Sequence, residues 1–89
     1  MKKISKITTN TYKFDETYLV DIVHNEEDEF YEAWLYNKNC EQKLAVYTIP
    51  TNNIEFKEMK LTESAFVALV ENQLKSQPLI EMYKELYED

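Results

Sequence analysis

His24 and Cys40 are the only histidine and the only cysteine in this 89-residue chain, so any nucleophilic dyad would have to be built from that pair. A thiol nucleophile needs a base within hydrogen-bond reach and a third group to orient the base. Cys40 falls in a polar stretch (Asn37-Lys38-Asn39-Cys40-Glu41), and His24 ends a strand-forming run well before it. The two must therefore approach from the far end of a strand, and no catalytic residue is assigned. Seventeen Asp and Glu side chains make carboxylate pairs abundant, so pairing alone singles out no acid and base. One cysteine with one histidine falls short of a zinc ligand set. The acidic run Glu26-Glu27-Asp28-Glu29 lacks the glycine and the downstream glutamate of a calcium loop. No metal, no cofactor and no enzymatic turnover are expected.

Binding is the chemistry these residue types favour. The ten basic residues are all lysine, glycine is absent, and the formal net charge is -7. Phosphate neutralisation relies on Lys and Arg, and base reading relies heavily on Arg, so direct nucleic-acid binding is disfavoured. An anionic membrane surface is disfavoured for the same reason. A basic protein surface would instead attract the chain over a distance. Apolar residues make up 44% and aromatics 13%, too many for a disordered acidic tail, so a folded domain is expected. The length fits a single domain over residues 1–89 with one modest core. A lone cysteine and the lack of an apolar signal-like or membrane-spanning run point to a reducing cytoplasm.

The elements that must position these residues follow from periodicity. The first half reads as strands: a weak alternation over Lys3–Phe14 as an edge strand, then Thr17–Asn25, Phe30–Tyr36 and Leu44–Ile49, the last stopped by Pro50. Short polar connections argue for antiparallel hairpins. Without glycine the two-residue Asn-Gly or Asp-Gly turn is ruled out, which predicts longer loops over 25–29 and 37–43. The second half reads as helix. Thr62 is placed to cap a segment carrying Glu63 in its first turn, with Phe66, Leu69, Val70 and Leu74 at helical spacing. Pro78 suits the first turn of a final helix whose stripe is Leu79, Met82, Tyr83 and Leu86. The two segments are either nearly continuous or broken at Ser76–Pro78. The expected fold is α+β: a three- or four-stranded antiparallel β-meander followed by C-terminal helix, one bent or two short, packed on one sheet face.

Alternation in the strands locates a surface. In the third strand Phe30, Glu32, Trp34 and Tyr36 share one face, while Tyr31, Ala33 and Leu35 share the other. Strict alternation in the fourth sets Leu44, Val46 and Thr48 against Ala45, Tyr47 and Ile49. Both sheet faces are substantially apolar, and short helices can cover only one. Glu32 is costly to bury unpaired, so its face is assigned to solvent or a partner. Tyr and Trp there would serve as anchors. Glu26, Glu27, Asp28 and Glu29 form either a solvated hairpin tip or, with Asp15, Glu16, Asp21 and Glu32, an acidic strip that mimics a phosphate backbone. The profile of a small, acidic, Arg-free chain without catalytic motifs is similar to that of small phage or mobile-element inhibitors, anti-CRISPR proteins among them. That likeness is one of size and composition. It implies a non-catalytic inhibitor that docks on the basic surface of a protein partner such as a nucleic-acid-processing enzyme. The partner-binding residues would be Glu26, Glu27, Asp28, Glu29, Phe30, Glu32, Trp34 and Tyr36. The alternative is a self-assembling structural or adaptor protein, a homodimer through the aromatic sheet face, with the charge serving solubility.

Overall fold

Four antiparallel strands form a meander in the order β1-β2-β3-β4, followed by two helices. A computed structural model describes residues 6–51 and 62–88. The strands are β1 (Ile7–Lys13), β2 (Tyr18–Asn25), β3 (Phe30–Asn37) and β4 (Leu44–Pro50). The helices are α1 (Glu63–Ser76) and the single turn α2 (Leu79–Tyr83), which widens into a π-helical turn over Lys84–Glu88. The expected α+β architecture is therefore found, with the N-terminal segment completing the sheet as an edge strand. The Lys3–Ser5 part of that expectation lies outside the described residues, as does Asp89.

Each boundary has a local cause. Asp15 Oδ1 accepts from the backbone N–H groups of Thr17 and Tyr18, both at 2.8 Å, which closes the β1–β2 connection without glycine. Asn25 Oδ1 accepts from Asp28 N–H at 2.8 Å, and the β2–β3 loop ends with Glu29 in the left-handed region at φ 56°. A glycine would ordinarily take that conformation. Thr62 Oγ1 accepts from Ala65 N–H at 3.2 Å, so the expected cap is formed. The α1 helix stops at Ser76 because Gln77, which precedes a proline, adopts an extended backbone. The break at Ser76–Pro78 is thus real, and the helices are two.

The core lies between one sheet face and α1. It takes Tyr18, Val20 and Ile22 from β2, Tyr31, Ala33 and Leu35 from β3, and Ile49 from β4. Phe66, Val70 and Leu74, spaced four apart, fill it from α1. An aromatic stack crosses the layers, with ring centres separated by 4.2 Å between His24 and Tyr31, 5.2 Å between Tyr31 and Phe66, and 5.8 Å between Phe66 and Tyr47.

Two expectations are corrected. Strict alternation fails in β4, because Ala33 pairs with Tyr47 while Trp34 pairs with Ala45, leaving Val46 as an extra residue. The bulge lets both Leu44 and Tyr47 pack towards the core from what alternation would call opposite faces. The final helix does not bury the stripe Leu79, Met82, Tyr83 and Leu86. Only Tyr83 is fully buried and Leu79 half-buried, whereas Met82 and Leu86 are exposed. One helical turn presents few residues to the core, and the widened turn that follows carries Leu86 off the line that ideal helical spacing would give.

Candidate functional site

The sheet face turned away from α1 is built from alternate residues of β1, β2 and β3. It carries Thr9, Thr11 and Lys13 from β1, Leu19, Asp21 and Val23 from β2, and Phe30, Glu32, Trp34 and Tyr36 from β3. Because Tyr31, Ala33 and Leu35 are committed to the core, β3 turns its other side chains outward together. Phe30, Glu32, Trp34 and Tyr36 are each half-buried by their neighbours on the face. The Trp34 indole Nε1–H donates to Glu32 Oε1 at 2.6 Å, so the carboxylate and ring are held as one unit along the strand.

Asp21 is the polar group on this face held by hydrogen bonds from three side chains. It is only 7% exposed and lies directly across from Trp34 in the β2–β3 register. Thr11 Oγ1 donates to Oδ1 at 2.7 Å and Tyr36 O–H to the same oxygen at 3.0 Å. Lys43 Nζ donates to Oδ2 at 2.7 Å, and its ammonium lies 4.7 Å from the centre of the Tyr36 ring. Burial on its own pushes the Asp21 carboxyl up, but the bonds from Lys43, Thr11 and Tyr36 and the Lys43 charge outweigh it and hold the group below the ordinary carboxylate value. The bond to Asp21 in turn holds Lys43 above the usual lysine value. Beside this network a shallow depression of about 320 Å³ is lined by Thr9, Asp21, Val23, Trp34 and Lys43.

The acidic loop continues the face at one end. Glu26, Glu27, Asp28 and Glu29 are all exposed, and Glu29 runs directly into Phe30. Among the described residues no lysine lies within ion-pair distance of Glu26, Glu27 or Asp28; the ion pairs formed are Lys13–Glu16, Lys43–Asp21 and Lys75–Glu71. The loop and the β3 anchors are thus brought together, as sequence order alone requires. The wider acidic strip is not. Asp15 and Glu16 occupy the β1–β2 connection, at the opposite end of β2 from Glu26, and Asp21 is buried against Lys43. An extended strand about 3.3 Å long per residue separates the two ends.

Asp21 and Lys43 were not identified from sequence as a paired site. The signal was present: an acid inside the β-branched run Tyr18–Val23 must find a partner or unfold the strand around it. What sequence could not give was the partner, which comes from the 38–43 loop across β3. His24 and Cys40 stay apart. His24 is stacked on Tyr31, and Cys40 Sγ donates to Gln42 Oε1 at 2.9 Å. Among the described residues no group of three or more His, Cys, Asp or Glu is arranged to hold a metal ion, and no helix is long and apolar enough to cross a membrane.

A second concavity, of about 200 Å³, opens between β1 and α1, with Phe14, Val67 and Leu74 among its walls. Comparison of the chain with protein-family models, curated proteins and solved structures returns no match.

Proposed function

We propose that this chain is a small acidic, non-catalytic binding protein that occludes a basic, nucleic-acid-binding surface of a host protein, in the manner of phage or mobile-element inhibitors working in a reducing cytoplasm. The observation that carries this is the continuity between an exposed acidic loop, with no lysine paired to Glu26, Glu27 or Asp28 among the described residues, and a row of half-buried aromatics on β3. Charge of one sign at a loop tip steers encounter with a basic surface, and neighbouring Trp and Tyr side chains supply area that holds the complex. Occlusion is steric and electrostatic, with no covalent step.

The test is affinity capture from host lysate at low and high salt, with recovered proteins identified by mass spectrometry. A nucleic-acid enzyme retained at low salt and released at high salt supports occlusion. Recovery of the bait alone would overturn it. Self-association through the same face is the second possibility, favoured by the same half-buried Phe30, Trp34 and Tyr36. Sedimentation of the purified chain separates the two, since an isologous dimer persists without a target.

A further inference from the structure

The outward sheet face contains two copies of one arrangement, a carboxylate held against an aromatic ring, and only one of them is filled. In the first, Asp21 accepts from Tyr36 O–H, and the Lys43 ammonium sits both on the carboxylate at 2.7 Å and 4.7 Å from the ring centre. In the second, Glu32 accepts from the Trp34 indole at 2.6 Å, and among the described residues no cation lies on either group. The two arrangements are neighbours, because Asp21 faces Trp34 across the β2–β3 ladder. Lys43 is neutralised by Asp21, so among the described residues the uncompensated charge beside the indole is that of Glu32. Glu32 and Trp34 are both half-buried, so part of each stays accessible to a partner, and the depression beside Trp34 belongs to the filled arrangement of Asp21 and Lys43.

From this we infer that Glu32 and Trp34 form a receptor for an arginine side chain of the basic partner protein. The ring face takes the guanidinium plane, and the remaining Glu32 oxygen accepts from its N–H groups. A planar guanidinium stacks on an indole and hydrogen-bonds a carboxylate at once, whereas a lysine ammonium is a more strongly hydrated point charge. Lys43 already demonstrates that this face holds a cation between a carboxylate and a ring, and a partner's arginine repeats that contact one step along the sheet. This rests on the basic-partner function proposed above and specifies which side chain of that partner is read.

The full chain carries one tryptophan, so Trp34 emission reports the site directly. Hexa-arginine and hexa-lysine peptides titrated at low salt, followed by emission and by calorimetry, form the experiment. The expected result is a saturable change in Trp34 emission with hexa-arginine, and weaker binding of hexa-lysine at equal charge. Glu32→Gln should weaken hexa-arginine by about tenfold, the scale of a partly desolvated cation–π contact with its carboxylate. A Glu26→Gln, Glu27→Gln, Asp28→Asn variant should weaken both peptides alike and leave the arginine preference intact. If both peptides bind equally, without an emission change and indifferent to Glu32→Gln, the arginine receptor is overturned while attraction to a basic surface stands. Absence of binding by both peptides, in emission and in calorimetry, overturns both.

Discussion

At the scale of single residues, Asp21 and Glu29 each depart from local preference, and each departure has a measurable consequence. Glu29 holds a left-handed backbone at φ 56°, a conformation that costs a residue with a Cβ on the order of 1 kcal/mol. Glu29→Gly is expected to raise the unfolding free energy by about 0.5–1 kcal/mol, read from the urea midpoint at unchanged slope. Asp21 is buried yet held below its ordinary titration range, so its folded form stabilises the protein wherever the carboxylate is charged. Because the folded value lies below the unfolded one, that contribution is complete above the unfolded carboxylate value of about 3.9 and is lost as pH falls through the folded value. The stability gap between the wild type and Asp21→Asn should thus be flat near neutrality and shrink in acid, as measured by denaturant unfolding from pH 7 to pH 2. Lys43→Met removes the strongest opponent of burial. It should cost about 1 kcal/mol at neutral pH, modest because Lys43 is half exposed, and should move the acid transition to higher pH.

At the scale of elements, α2 is too short to be helical by itself and is fixed by what it docks on. The Tyr83 ring packs edge-on against Tyr18 at 5.8 Å, and its O–H donates to the Gln42 carbonyl at 2.7 Å. The C-terminal turn is tied down again where Tyr18 O–H donates to Glu88 Oε2. One side chain thus ties the last helix to both β2 and the 38–43 loop, the same loop that delivers Lys43 to Asp21. Tyr83→Phe should cost about 1 kcal/mol by leaving the Gln42 carbonyl without its donor. Tyr83→Ala should cost about 3–5 kcal/mol and expose the C-terminal segment to protease, seen as early tryptic cleavage after Lys84 by limited proteolysis. Equal protection of both variants would show that α2 docks by other means. The α1 helix is attached differently: Glu63 accepts from Asn10 Nδ2 and from Tyr12 O–H, which secures its first turn to the edge strand.

At the scale of the whole molecule, the fold separates a buried face from a face that carries both charge and aromatic area. Reversing Glu26, Glu27, Asp28 and Glu29 to lysine should slow association with a basic target and flatten its salt dependence, measured by stopped-flow mixing across ionic strength. An unchanged rate and slope would remove the loop from steering. Much of this architecture was legible in residue order. Alternation in Phe30–Tyr36 assigned Tyr31, Ala33 and Leu35 to the core, and the spacing of Phe66, Val70 and Leu74 placed α1 over them. Thr62 and Pro78 marked the helix starts, since capping and proline geometry are local properties of the chain. The aromatic row and the acidic loop were legible for the same reason, being set by neighbours along one strand. The β4 bulge, the single buried residue of α2 and the Asp21–Lys43 pair were not. Each depends on which distant segment arrives opposite, and on the burial that results. Sequence by itself determined which side chains share a face, because strand and helix periods are fixed by backbone geometry. Only the tertiary structure decided that Asp21 would take Lys43 as its cation and, among the described residues, leave the Glu32–Trp34 pair without one, because a buried carboxylate competes harder for the nearest ammonium than a half-exposed one.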